Sequence, residues 1–396
     1  MLKKLFEKSL LYFGTLVAGK ILSAVFFMVL ARLLQPEKFG EISFFITVVQ
    51  VVSVLADVGL KSWYQKEAAQ RPLAELWARL IRYRLLTGGV VAIIVLVLNT
   101  WWQWFAGAQI YLLLACIMGE SWLTMADGYY LARSQSLRLG YKLIVRNVIL
   151  FVCLVWLRQE ASTLAFLSWY TLTLWLTVGL YVPWRTVAWR QVGRKLAAPD
   201  VKTCASYAAI DDLGVLYSRA DSMVIERLLG SSSLGIYAAA YRFVDAFNLL
   251  PQALFHNLFP VAARKNGVTR GQTLKMWVVM AGMGVAVGVV LFIASDFLTV
   301  TLLGEAYAPA AGLLRMFAVL VALFFANAPL NTIIQSSDVV SRYVPWLTVA
   351  TILNIGLNIV WLPTYGLYGS VYSMIAAELF LTVVNWVMMR KIYEQK

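Results

Sequence analysis

Three cations interrupt runs of otherwise apolar sequence: Lys20 in "GTLVAGKILSAVFF", Arg219 in "GVLYSRADSMV" and Arg242 in "IYAAAYRFVDAF". Each costs about 2.5 to 3.5 kcal/mol at the centre of a bilayer, so each is a functional candidate by default. The chemistry they offer is neutralisation of an anion stripped of water. Arg can meet phosphate-type oxygens with two parallel hydrogen bonds, while Lys acts as a point charge. Arg315 stands close to the end of another apolar run, where its charge can snorkel to an interface; it is a weaker contact candidate.

Acids interrupt the same kind of sequence at Glu120, Asp127, Asp211, Asp212, Asp221, Asp245 and Glu378, with Asp57 at the end of a run. A carboxylate held there can exchange a proton or a sodium ion and bias which conformation is favoured. Asp221, Asp245 and Glu378 are deepest and are the ion-coupling candidates. The competing interpretation is ion pairing, Arg219 with Asp245 or Arg242 with Asp221, or hydrogen bonding to neighbouring helices. Lys20 has no acid among its helical neighbours. Asp57, in "LADVGL", reads as a helix cap or anchor.

Other chemistries lack their residues. The single histidine, His256, has no Cys, Asp or Glu at ligand spacing, so no metal is expected. No G-x-x-x-x-G-K pattern occurs, which argues against ATP as the driving cofactor. Cys116, Cys153 and Cys204 have unrelated spacings and read as small apolar residues. No catalytic residues are assigned.

The elements that must carry these charges are long and greasy. Of 396 residues 61% are hydrophobic and 14% charged, against roughly 25% charged in soluble domains, and the mean hydropathy is +0.73. The apolar residues fall into twelve blocks, each long enough to cross a hydrocarbon core about 30 Å thick: approximately 9–31, 39–60, 79–99, 105–131, 141–158, 162–184, 204–229, 234–259, 274–296, 310–334, 341–362 and 366–389. The expected fold class is therefore all-α, a multi-pass membrane protein. The first block is long and carries Lys20, so it is read as a retained span rather than a signal peptide.

Basic residues set the orientation, because cytoplasmic loops keep an excess of them. With both termini inside, the inner segments hold 26 of the 34 Lys and Arg. The net charge of +14 is then accounted for by inner loops facing anionic membrane lipids, and no nucleic-acid partner is needed. Trp101, Trp102, Trp104 and Trp361 read as an outer interfacial belt.

One motif occurs twice. "ARLLQPEKFGEI", Ala31 to Ile42, returns 195 positions later as "ERLLGSSSLGIY", Glu226 to Tyr237. The shared Gly is read as supplying a turn for re-entry into the membrane. An offset near half the chain, with six spans per half, predicts two lobes of the same orientation, 1–195 and 196–396, around a central cleft with substrate bound near the midplane. One chain holds both lobes, so a monomer is the simplest expectation. Spans 1 and 7 become counterparts, and Lys20 maps to Val215, one turn from Arg219.

The repeated motif, "LADVGL", the run "LYSRADSMVIERLLGSSSLGIYAAAYRFVDAFNLLPQALFHNLFP", "LLGEAY" and "LPTYGLYGS" resemble the polysaccharide-exporter branch of the multidrug/oligosaccharidyl-lipid/polysaccharide (MOP) transporter superfamily. Within that branch the chain looks most like O-antigen flippases. The family usually has Gly five residues after the Asp of span 7; here Glu226 stands there. The related lipid II flippases carry two further spans.

The resemblance implies a MATE-like fold in the bacterial inner membrane. It also implies a polyprenyl-diphosphate-linked glycan as substrate, an O-antigen or other lipopolysaccharide or surface-polysaccharide repeat unit moved from the inner to the outer leaflet. A polysaccharide polymerase and a chain-length regulator are the protein partners it suggests. On this basis Lys20, Arg219 and Arg242 form the diphosphate site, with Arg315 near the sugars. The driving force is the membrane potential or a proton or sodium gradient. The rivals are a multidrug or organic-cation antiporter of the same superfamily, a membrane glycosyltransferase or polymerase, and a scaffold in a glycan assembly complex. The absence of a large outer loop speaks against the enzyme.

Overall fold

The computed structural model describes residues 2–68, 73–133, 135–157, 162–184, 201–262, 268–337 and 339–394, and among these it contains helices and no strand. In chain order the helices are α1 (Leu2–Leu33), α2 (Pro36–Leu55), α3 (Leu60–Glu67), α4 (Leu73–Trp102), α5 (Ala108–Ala132), α6 (Leu137–Leu157), α7 (Thr163–Tyr181) and α8 (Val201–Phe247). They continue with α9 (Leu249–Ala262), α10 (Arg270–Asp296), α11 (Ala310–Gln335), α12 (Val340–Tyr365) and α13 (Leu367–Glu394). Nine segments among the described residues are long and apolar enough to cross a membrane. The other three expected spans, 141–158, 204–229 and 234–259, lie on α6 and on α8 with α9.

Local sequence explains where the elements start and stop. Pro36 opens α2, where its missing N–H costs nothing. The same helix ends at Leu55 rather than near 60, because "LADVGL" builds a turn. Val58 and Gly59 take φ of 47° and 71°. The Asp57 carboxylate then accepts a hydrogen bond from the Lys61 N–H at 3.2 Å, capping the short helix α3, which the hydropathy pattern does not announce. Helix α10 begins with a capping box: Thr269 Oγ1 accepts from the Gln272 N–H at 3.3 Å, and Gln272 Oε1 accepts from the Thr269 N–H at 2.9 Å. It ends in a π-helical turn, Phe297–Leu303, closed by Gly304 at φ 105°.

The chain forms two compact units. Unit 1 comprises residues up to Phe26 and Phe45–Leu216; unit 2 comprises Phe27–Phe44 and Tyr217–Lys396. The boundary expected between lobes, at 195/196, lies outside the described residues. Three helices are divided between the units, α1, α2 and α8, and among them α1 and α8 are the pair that the repeat makes counterparts.

In unit 1, α5 packs on α3 and α7, and α6 on α7. Fully buried Trp77 rests on Tyr64 and Tyr129, with ring centroids 6.0 and 4.9 Å apart. In unit 2, α11 packs against α10 and α13, and α12 against α13. Small residues set the closest of these approaches: a methyl at Gly288 would lie 2.7 Å from the Ala318 carbonyl oxygen, as expected of small-residue helix seams in lipid. The outward faces stay apolar, with Val90, Ile93 and Val97 on α4 and Val279, Val290 and Ile293 on α10 all more than half exposed. Exposed apolar surface of this extent marks contact with lipid.

Candidate functional site

Arg219 and Arg242 both belong to α8, on either side of Gly230. In a straight helix Arg219 and Asp245 would stand about 39 Å apart at 1.5 Å per residue. Gly230, at φ 80° and ψ 174°, breaks the helix, and the halves turn back on each other. Arg219 Nη2 comes 3.7 Å from Asp245 Oδ2, and Arg242 Nη1 comes 3.9 Å from the same oxygen. Two guanidinium groups thus share one carboxylate oxygen. Both distances suit an ion pair and exceed a good hydrogen bond. The Arg242 guanidinium also lies 3.8 Å from the centroid of Phe27, and that of Arg219 lies 5.9 Å from Tyr241. The three charged side chains keep 17 to 35% of their surface accessible. The trio carries a net charge of +1 on aromatic walls, a setting that can receive an anion.

Of the two pairings the sequence allowed, Arg219 with Asp245 is present. Arg242 meets Asp245, whereas Asp221 is buried and accepts the Tyr237 hydroxyl. Glu378, also buried, accepts from Tyr217 Oη at 2.7 Å and from Asn327 Nδ2 at 2.8 Å. Both of these partners are neutral. The coupling candidates therefore divide: Asp245 sits among cations, while Asp221 and Glu378 are held by neutral donors. Arg315 stands apart, paired with Asp296 and donating to Ser295 Oγ at 3.0 Å. Lys20 belongs to unit 1, and the Arg219 cluster to unit 2.

Unit 1 holds ion pairs that sequence reasoning did not assemble. Arg146 Nη1 meets Glu120 Oε1 at 2.6 Å, Lys142 meets Asp127 at 2.7 Å, and Arg84 meets Asp57 at 2.9 Å. Arg146 and Lys142 of α6 meet carboxylates of α5, and Arg84 of α4 meets Asp57 in the turn before α3; the positive-inside pattern had counted these cations only as part of the inner segments. A cavity of about 230 Å³ in this unit is lined by Asp57, Asp212, Lys61 and Thr124, among others. Among the described residues no cluster of three His, Cys, Asp or Glu is placed to hold a metal ion; the side chain of His256 lies outside those described.

The repeated motif has a structural purpose, and it is not the one its glycine suggested. Gly40 and Gly235 are both inside helices, and the turn glycine of the second copy is Gly230. A methyl on Gly40 would lie 1.8 Å from the Ser231 carbonyl oxygen, and one on Gly235 would lie 1.8 Å from the Pro36 carbonyl oxygen. Each copy's glycine thus seats the backbone of the other copy, a reciprocal contact inside unit 2. The "LLGEAY" motif docks beside it: Tyr307 donates to the Leu34 carbonyl at 3.2 Å and meets Phe39 edge to face. Glu226, the departure from the family pattern, accepts the Ser231 hydroxyl at 2.6 Å across the Gly230 break.

Residues 29–312 match the family described as polysaccharide biosynthesis protein. No curated protein matches the chain by sequence. Among solved structures, it is similar to an inward-facing multidrug resistance MATE family transporter of the MOP superfamily, with a TM-score of 0.74, 11% identity and 95% of each chain covered. It is also similar to an outward-facing form of such a transporter, with a TM-score of 0.70, 11% identity, and 98% of this chain and 96% of that one covered. A third is a MOP superfamily transporter from Pyrococcus furiosus, described by a binding pocket of reverse polarity, with a TM-score of 0.67, 11% identity, and 97% and 95% covered. These likenesses show the fold, which is the MATE-like one.

Proposed function

This chain belongs to the polysaccharide biosynthesis protein family, with the fold of MOP-superfamily transporters, and we propose that it is a flippase for polyprenyl-diphosphate-linked oligosaccharides. The observation that carries this reading is the convergence of Arg219 and Arg242 on Asp245 Oδ2. A diphosphate leaving water needs fixed cations, and guanidinium groups spaced around one carboxylate can turn from it to phosphate oxygens. Lys20, on the counterpart helix, supplies a further cation. The glycan is an O-antigen or similar surface-polysaccharide repeat unit, and the membrane is the bacterial inner membrane with both termini cytoplasmic. A polymerase and a chain-length regulator are the partners such a product requires.

In the proposed cycle the diphosphate and sugars enter from the cytoplasmic side while the polyprenyl tail stays in lipid, and the carrier then opens outward. An inside-negative potential favours exit of anions by about 2.3 kcal/mol per charge per 100 mV. Where the arginines neutralise the diphosphate, the same field acts on the empty, positive carrier and draws it back. Glu378, between Tyr217 and Asn327, is the group able to take up a proton in that cycle.

The reading of a multidrug antiporter has one observation in its favour, the Asp57–Asp212 cavity. Asp57 is already engaged by Arg84, which weakens it as a site for an organic cation. Proteoliposomes decide between the two. Movement of an undecaprenyl-diphosphate oligosaccharide with no export of ethidium is expected; ethidium export without glycolipid movement overturns the proposal.

A further inference from the structure

A second charged cavity lies in unit 1. It measures about 280 Å³ and is lined by Tyr130, Arg138, Tyr141, Lys142, Thr177 and Tyr181, with Val145 and Leu180 at its rim. Three helix ends build it: the last turn of α5, the first turns of α6 and the last turn of α7. The basic pattern places these ends at the inner leaflet.

Its polar groups are held in order. Lys142 Nζ meets both Asp127 oxygens at 2.7 and 2.8 Å, and Tyr181 Oη donates to Asp127 Oδ1 at 2.8 Å. Tyr130 Oη donates to the Tyr181 carbonyl at 2.7 Å and accepts from Arg138 Nη1 at 3.1 Å. The Arg138 guanidinium lies 4.7 Å from the Tyr130 ring centroid. Lys142 has its carboxylate, whereas among the described residues no acid pairs with Arg138, whose remaining N–H groups are available at the cavity. The lining therefore carries one positive charge beyond what Asp127 balances.

Away from the cavity the surface becomes aliphatic. Tyr141, Val145, Val148 and Val152 on α6, and Leu180, Leu176 and Leu172 on α7, are 41 to 75% exposed at successive helical turns. The two helices pack together and run antiparallel from the cavity. Each stripe is about 12 to 16 Å long at 1.5 Å per residue, which matches half of a hydrocarbon core of about 30 Å.

We propose that this cavity holds the phosphodiester headgroup of an anionic glycerophospholipid of the inner leaflet, with an acyl chain lying along the α6/α7 seam. Arg138 meets the phosphate with its free N–H groups, the exposed Tyr141 offers its hydroxyl to the glycerol side, and the stripes take the chain. Basic pockets between transmembrane helices on the cytoplasmic side have the chemistry to bind such headgroups. A single-leaflet stripe fits a phospholipid chain better than a long polyprenyl. The site is independent of what the protein transports.

The test is native mass spectrometry of the full-length protein titrated with phosphatidylglycerol or phosphatidylcholine. Arg138→Gln is expected to weaken phosphatidylglycerol binding about 5- to 10-fold. Arg342→Gln, an exposed basic residue elsewhere, should leave it unchanged, and Val145→Trp should weaken it by crowding the seam with every charge retained. Equal effects of Arg138→Gln and Arg342→Gln overturn the proposal in favour of diffuse surface charge. Full competition by soluble glycerol phosphate overturns it in favour of a free phosphate site. Should Arg138→Gln fail to fold, unchanged binding in Val145→Trp also overturns it.

Discussion

Asp57 and Glu378 are both buried carboxylates, yet their surroundings assign them different work. Asp57 is tied to Arg84, a guanidinium only 2% exposed. Removing one member of a buried pair strands the other, at a cost of about 3 to 5 kcal/mol. Asp57→Asn is therefore expected to lower the thermal unfolding midpoint in detergent far more than Glu378→Gln does. Glu378 has neutral partners, and a glutamine can keep both contacts by accepting from Asn327 Nδ2 with its carbonyl oxygen while its amide N–H donates to the Tyr217 hydroxyl oxygen. Glu378→Gln should keep its fold and lose the pH dependence of transport, read as glycolipid movement at two pH values in proteoliposomes; a retained pH dependence removes Glu378 from the coupling role. The sequence showed which charges were out of place in apolar surroundings. It did not show the pairing of Glu120 with Arg146 or Asp127 with Lys142, because each partner comes from a separate helix and nothing in local spacing records which helices meet.

Helices were the most legible feature, since blocks of apolar residues about 20 long announce themselves. What stayed hidden were departures made by a few polar contacts: the early stop of α2 through Asp57, the short helix α3, and the π-helical turn after α10. The repeat was visible, but the use of its glycine was not, since a turn and a close approach both call for the same residue. Backbone lies on both sides of the Gly40 and Gly235 contact, so nothing flexible can yield. Gly40→Ala and Gly235→Ala are each expected to destabilise this arrangement by about 1 to 3 kcal/mol. Because both act on one seam, the double variant should cost less than the sum by at least about 0.5 kcal/mol. Thermal unfolding of the four proteins in one detergent measures this; strict additivity would show that the two copies do not share a contact.

For the whole molecule, the proposal from the positive-inside pattern is that both termini are cytoplasmic. Reporter fusions at the C-terminus should be active only in the cytoplasm. The account also ties transport to the membrane potential through the charge of the empty carrier, so collapsing the potential should slow glycolipid movement several-fold. Unchanged movement would remove the potential from the cycle. The central claim is that Arg219 and Arg242 receive a diphosphate. It is tested most directly by transbilayer movement of an undecaprenyl-diphosphate oligosaccharide in proteoliposomes, comparing the intact protein with Arg219→Ala, Arg242→Ala and the double variant at matched reconstitution. The account predicts a loss of at least about ten-fold for each single variant, since a charged hydrogen bond to phosphate is worth roughly 1.5 to 3 kcal/mol. Glycolipid movement that persists at the intact rate in the double variant would contradict it.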